Sequence, residues 1–196
     1  MSLFSGAHFI ASAHDNRELP PDVGTEIAFA GRSNAGKSSA INAITHRKRL
    51  AFVSKTPGRT QTINFFACGP NRRFVDLPGY GYAAVPQAER AYWGMLVSTY
   101  LENRRSLKGL VLIADVRRSL GLLDEQLLRW YAPSGQPVLV LLTKSDKLKQ
   151  GEAANALKTT AALLASRYPA ATAQLFSAVS GTGLRTAQGL LHGWLK

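Results

Sequence analysis

Gly31-Arg32-Ser33-Asn34-Ala35-Gly36-Lys37-Ser38 is the stretch on which the reading of this chain turns. It matches G-x-x-x-x-G-K-[ST], a loop whose two glycines let the backbone turn tightly and aim its N–H groups at an anion. Lys37 is placed to reach the β- and γ-phosphates of a nucleotide, and the Ser38 hydroxyl to hold magnesium. Glu26 to Ala30 before the loop reads as a short strand, and Ser38 to Thr45 after it as a helix. A bound phosphate would then sit at a helix N-terminus, where unpaired N–H groups and the helix dipole favour negative charge.

Apolar runs and helix-like segments alternate outward from this loop. Ile63 to Cys68 and Arg72 to Val75 read as strands, and Gly69-Pro70-Asn71 between them as the turn of a hairpin. Gln87 to Asn103 has helical spacing, with Trp93, Leu96, Val97, Tyr100 and Leu101 on one side. Leu110 to Ala114 and Val138 to Leu142 are continuous apolar runs, as strands buried on both faces require. Asp124 to Tyr131, Ala153 to Ser166 and Leu184 to Leu195 read as helices, and Ala173 to Phe176 as a short strand. The alternation predicts an α/β fold with a mostly parallel sheet covered by helices. The expected organisation is a single domain over 1–196 with a short N-terminal extension, 1–22. Val53 to Thr62, rich in polar and turn residues, reads as a mobile loop.

Three further signals follow the loop in order. Asp76-Leu77-Pro78-Gly79 ends a strand, which suits Asp76 to bind magnesium through a water and the Gly79 N–H to sense a γ-phosphate. Thr143-Lys144-Ser145-Asp146 ends another. A carboxylate there can accept hydrogen bonds from the ring N–H and the amine of guanine, a pair of donors adenine lacks, while the Lys144 stem covers the base. Phe176-Ser177-Ala178 ends the last strand, where small residues let backbone N–H groups approach the guanine carbonyl. Pro57-Gly58-Arg59-Thr60-Gln61-Thr62 lies between the first two motifs, and a threonine hydroxyl from it, Thr60 or Thr62, would complete a magnesium shell. Taken singly, D-x-x-G is an ordinary turn and T-K-x-D an ordinary helix cap; their order gives them weight.

Composition narrows the class. The single cysteine, Cys68, excludes an internal disulfide. No apolar run approaches the ~18 residues that span a membrane, and Met1 to Ala13 does not read as a signal peptide, so a cytoplasmic protein without a membrane partner is expected. The chain carries 24 Lys and Arg against 12 Asp and Glu, a net charge of +12 and a pI near 10.3. Such an excess points to a polyanionic partner, with Arg47-Lys48-Arg49, Arg72-Arg73, Arg104-Arg105-Lys108 and Arg117-Arg118 as its clusters. Arg47-Lys48-Arg49 follows the first helix closely and is expected near the nucleotide end of the fold.

The motifs in this order resemble the translation-factor-related GTPases, and most closely the EngB (YihA/YsxC) family of ribosome-biogenesis GTP-binding proteins. The resemblance runs from about Phe9 to Leu195. It is carried by Gly31 to Ser39, by Lys55 to Phe66, by Asp76-Leu77-Pro78-Gly79-Tyr80-Gly81-Tyr82-Ala83 and by Thr143 to Leu148, with Trp93, Tyr100 to Arg104 and Asp115-Val116-Arg117 fitting as well. It implies a Ras-like fold: six main strands, one antiparallel, with five helices. It also implies GTP hydrolysis, magnesium, a role in large ribosomal subunit assembly with ribosomal RNA or a large-subunit precursor as partner, and a link to cell division and septation; a monomer is expected. It assigns Gly58, Arg59, Thr60, Gln61 and Thr62 to the GTP site and favours Thr60 over Thr62 as the magnesium ligand, with Lys37, Thr60 and Gly79 in catalysis. Val179-Ser180-Gly181-Thr182-Gly183 departs from the pattern in lacking a basic residue. Tyr80 stands where Ras places a catalytic glutamine and cannot orient water as an amide does, so slow intrinsic turnover is expected. Asn34 resembles the asparagine of potassium-activated GTPases, where K+ takes the place of an arginine finger. Two other readings remain open: a signalling or membrane-trafficking GTPase, and an RNA-binding module with nucleotide as a structural ligand.

Overall fold

The computed structural model describes residues 4–51, 62–81 and 87–196, without the side chains of 87–90, 92 and 93. The strands are β1 (His8–Ala13), β2 (Thr25–Gly31), β3 (Ile63–Gly69), β4 (Arg72–Asp76), β5 (Leu107–Asp115), β6 (Val138–Thr143) and β7 (Ala171–Leu175). The helices are α1 (Lys37–Thr45), α2 (Gln87–Asn103), α3 (Leu122–Tyr131), α4 (Gln150–Arg167) and α5 (Leu184–Trp194). One sheet runs β1-β3-β4-β2-β5-β6-β7. β3 alone opposes the others: it pairs antiparallel with both β1 and β4, while β2, β4, β5, β6 and β7 pair in parallel.

The six expected strands are present, and a seventh joins them. Residues 8–13, expected as part of an extension, form β1 on the edge beside β3, with a bulge between Phe9 and Ala11. Its pairing is entirely with residues 50 or more positions away, so no local pattern announces it. Phe4, just ahead, is buried against Phe74 at 4.9 Å between ring centroids.

Period-two alternation splits the apolar residues between two layers. On β2, Ile27 and Phe29 join Ile41 and Ile44 of α1, Val111, Ile113, Leu139 and Leu141 of the sheet, and Leu191 of α5. Ala28 and Ala30 face the other way, with Leu96, Val97 and Tyr100 of α2, Leu127 and Leu128 of α3 and Leu164 of α4. A sheet sandwiched in this way buries both faces, which is why β5 and β6 are unbroken apolar runs.

At the N-terminal edge of the parallel strands lies a polar core. Glu26 is fully buried. Its Oε1 accepts from Arg73 (2.7 Å) and Arg104 (2.8 Å), and its Oε2 from Arg104 Nε and the Tyr100 hydroxyl (both 2.9 Å). Arg104 also covers the Phe65 ring, 5.9 Å from its centroid. Burial, and then the neighbouring Glu26 charge, push the Tyr100 hydroxyl well above its ordinary pKa, which keeps it a donor. Two arginines expected on a polyanion-binding surface are thus internal. Glu26→Gln leaves the Arg73 guanidinium without its counter-charge and Arg104 with only Asp22, 3.5 Å away, and should lower the stability measured by urea unfolding by about 3–5 kcal/mol. A wild-type midpoint would show that this cluster is replaceable.

Candidate functional site

The parallel strands β2, β4, β5, β6 and β7 all end at the same edge of the sheet, where ligands of such folds bind. Gly31, Asp76, Asp115, Thr143 and the Phe176-Ser177-Ala178 turn are brought together there.

The phosphate loop joins β2 to α1. A Cβ on Gly31 would stand 2.6 Å from the Ile113 carbonyl oxygen, so only glycine allows β2 this close to β5. Gly36 has φ 99°, a left-handed conformation that favours glycine, and it caps α1. Asn34 also has positive φ, 64°, which asparagine tolerates better than most residues. The loop is held from three sides. The Ser33 N–H donates to the Tyr80 carbonyl at 2.8 Å. The Thr143 hydroxyl lies 2.5 Å from the Ala35 carbonyl and 3.0 Å from that of Ala114. Lys144 Nζ donates to the Asn34 carbonyl at 2.8 Å and pairs with Asp115 at 3.0 Å.

Lys37 at the start of α1 makes an ion pair with Asp76 at the end of β4, and Ser38 follows it. The donor set suits magnesium, a hard ion that takes few protein oxygens and completes its shell with phosphate and water. A cage of three or more acidic, histidine or cysteine ligands is absent among the described residues. Gly58, Arg59, Thr60 and Gln61 lie outside the described residues. Thr62 is described, and its hydroxyl donates to Asn64 Oδ1 at 3.2 Å.

Asp146 sits on the single 3-10 turn after β6, entered through Lys144 at φ 59°. Its Oδ1 accepts from the buried Ser177 hydroxyl at 2.6 Å, and Oδ2 lies 3.4 Å from Lys147. The Ser177 hydroxyl, and more weakly Lys147, hold the Asp146 carboxyl below the usual range. Ser177 Oγ accepts in turn from the N–H groups of Val179 and Ser180 at 3.2 and 3.1 Å, so Asp146 is aimed by a hydroxyl that is itself fixed. Ala178 is exposed beside it, while Phe176, Leu77 and Pro78 are buried supports. The Arg117 guanidinium, and then Lys144, keep Asp115 well below the carboxylate range. A pocket of about 470 Å³ runs along the outside of the loop, past Ser33 and Asn34 to Asp115, Arg117 and Lys144.

The sequence named Thr143, Ser177 and Tyr80 but not what they do here. Thr143 is buried and engaged with backbone. Tyr80 is 3% exposed, and its hydroxyl donates to Asp124 Oδ1 of α3 at 2.6 Å. Asp124 accepts with its other oxygen from the Gly121 N–H at 2.8 Å, capping α3. Burial, and then the Asp124 charge, raise the Tyr80 pKa well above normal. This phenol therefore faces the core. A separation of 44 residues hides the pair from local pattern; the one signal was an acid in the first turn of a helix.

A family model described as "50S ribosome-binding GTPase" matches residues 26–144. The chain is 54% identical over 194 residues to a protein of Nitrosococcus oceani named "Probable GTP-binding protein EngB", covering 99% of this chain and 97% of that one. The chain belongs to the EngB family of GTP-binding proteins. As a member it is a P-loop GTPase that binds GTP and GDP. Among solved structures, one of an EngB protein superposes with a TM-score of 0.65 at 23% identity, over 87% of this chain and 98% of that chain. Era, in complex with MgGDPNP and nucleotides 1506–1542 of 16S ribosomal RNA, superposes at 0.63 and 19% identity, over 89% and 57%. These two likenesses concern the fold. The match to EngB proteins makes the Tyr80–Asp124 contact a feature of a GTPase loop anchored to α3. Tyr80→Phe strands a buried carboxylate oxygen, and the expected loss in thermal or urea stability is about 2 kcal/mol; an unchanged value would mean that water replaces the phenol.

Proposed function

We propose that this chain is one GTP-binding domain that acts in the cytoplasm as a slow switch in large ribosomal subunit assembly. Its GTP-bound form docks on a ribosomal precursor, and its loss disturbs cell division and septation. The observation that carries the nucleotide half is the meeting, at one sheet edge, of the phosphate loop, the Lys37–Asp76 pair and the Ser177-aimed Asp146. The ribosomal half is supported by the family model's description and by the net charge of +12.

In this reading the N–H groups of Asn34 and of Gly36 to Ser38 surround the β-phosphate, and Lys37 turns to the β- and γ-phosphates. Asp146 accepts from the ring N–H and amine of guanine, while the Lys144 stem, tied at both Asn34 and Asp115, lies over the base. Ala178 offers its backbone to the guanine carbonyl. Ser38, Thr60 and, through water, Asp76 hold magnesium. That ion, when bound, neutralises charge on the phosphate oxygens. The Gly79 N–H senses the γ-phosphate. With the Tyr80 hydroxyl turned onto Asp124, no side chain at that position orients the attacking water, which accounts for slow turnover. Asn34 would hold a K+ ion, whose charge would supply the missing stabilisation.

Two measurements test this. Sedimentation with large-subunit precursors should carry the protein down with a non-hydrolysable GTP analogue and not with GDP. Asp146→Asn, which loses charge-assisted bonds to guanine, should weaken guanine-nucleotide binding about a hundredfold and abolish pelleting at limiting analogue. Pelleting indifferent to nucleotide would refute the switch. Separately, hydrolysis should run faster in potassium than in sodium buffer; equal rates would remove the role of K+.

A further inference from the structure

The basic residues are not equivalent in the folded chain. Arg73 and Arg104 are bound to Glu26, and Arg117 to Asp115. Arg47, Lys48 and Arg49 are all exposed, and none has an ion-pair partner among the described residues. They form the loop that leaves α1, and that loop is fixed at both ends. His46 closes the helix at φ 53°, and the Gln188 amide donates to its ring nitrogen and to the Ile44 carbonyl at 2.9 and 2.8 Å. Leu50 and Ala51 are buried, and Asn42 of α1 makes two hydrogen bonds to the Ala51 backbone, at 2.8 and 2.9 Å. Three cations are thereby presented on a short, anchored arc.

Facing the arc is the start of β1. His8, Phe9 and the residues from His46 to Leu50 line a cleft of about 530 Å³. Phe9 is 54% exposed although a large apolar ring. It is braced edge-on by the buried Phe66, 6.1 Å away, so one side of the ring is supported and the rest is open. A cationic arc beside a braced, open aromatic ring is the pairing that holds single-stranded nucleic acid: cations for phosphates, a ring for a base face. Paired bases keep their faces covered, so the ring selects an unpaired stretch.

The cleft is far from the phosphate loop. His8 pairs with Ala67, Ala67 with Arg73 and Arg73 with Glu26, a row across the N-terminal end of the parallel strands. Gly31 lies five residues further along β2, about 16 Å at the usual strand rise. The expectation that Arg47-Lys48-Arg49 lies near the nucleotide end is therefore reversed: α1 carries it to the other end.

We propose that this cleft binds an unpaired stretch of RNA, with phosphates on Arg47, Lys48 and Arg49 and one base stacked on Phe9, leaving the GTP site accessible. The choice of RNA rests on the ribosomal reading above. The test is fluorescence anisotropy with a labelled oligouridylate over a range of salt. The wild type should bind more weakly as salt rises. The triple variant Arg47→Ala, Lys48→Ala, Arg49→Ala should lower the slope of log affinity against log salt by about two, from three lost phosphate contacts. Phe9→Ala should weaken binding about tenfold with the slope unchanged. Both variants should keep wild-type affinity for fluorescent GDP, which shows that they fold. Absence of wild-type binding, or a triple variant that binds as wild type, overturns the proposal; an unaffected Phe9→Ala overturns the base contact. If the triple variant loses only adsorption to phosphatidylserine vesicles, the cleft is a lipid-headgroup site instead. If the oligouridylate result holds but the wild type does not pellet with precursors, the cleft stands and the ribosomal assignment falls.

Discussion

The close parallel pairing of β2 with its neighbours is the constraint on which the nucleotide site depends. β2 is the central strand, joined to β4 in register Phe29 to Asp76 and to β5 in register Gly31 to Ile113. Gly31 touches the Ile113 carbonyl so closely that no side chain is tolerated. The phosphate loop begins directly at that contact. Its height relative to Asp76 and Asp115 is therefore set by backbone hydrogen bonds, which are far stiffer than any surface loop. The same register gathers the other loops at one edge and leaves the N-terminal edge to a different chemistry.

At the nucleotide edge, side chains lock loops to one another. Thr143 and Lys144, on β6 and the turn after it, grip the phosphate loop at Ala35 and Asn34. Tyr80 grips it through its carbonyl while its hydroxyl anchors α3. The loops after β2, β4 and β6 thus form one connected body, and the Asp146 carboxylate is aimed by Ser177, which follows a further strand. Preorganisation of this kind lets a ligand bind without ordering the groups that meet it.

The opposite edge separates charge by role. Glu26 draws two arginines and a tyrosine inward, and the buried cluster orders the approach to β2 and the end of α2. Arg47, Lys48 and Arg49, on the loop after α1, stay exposed. A net charge of +12 measures the amount of basic excess and says nothing of where it is free to act.

Much was legible in the sequence because it is local. Gly31, Gly36, Lys37 and Ser38 announce a turn and a helix start within eight residues, and the apolar runs of β5 and β6 announce burial on two faces. The hairpin of β3 and β4 and the span of α2 are likewise matters of turn chemistry and periodicity. What the sequence could not fix are choices made between distant residues. Residues 8–13 became a strand because β3 offered a free edge; Arg73 and Arg104 turned inward because Glu26 had no other counter-charge. Tyr80 and Ser177 took their roles from Asp124 and Asp146, 44 and 31 residues away. Local chemistry determined which elements form and which carry phosphate-binding groups. Packing of the sheet decided which polar groups meet, because only there are desolvated charges forced to find partners.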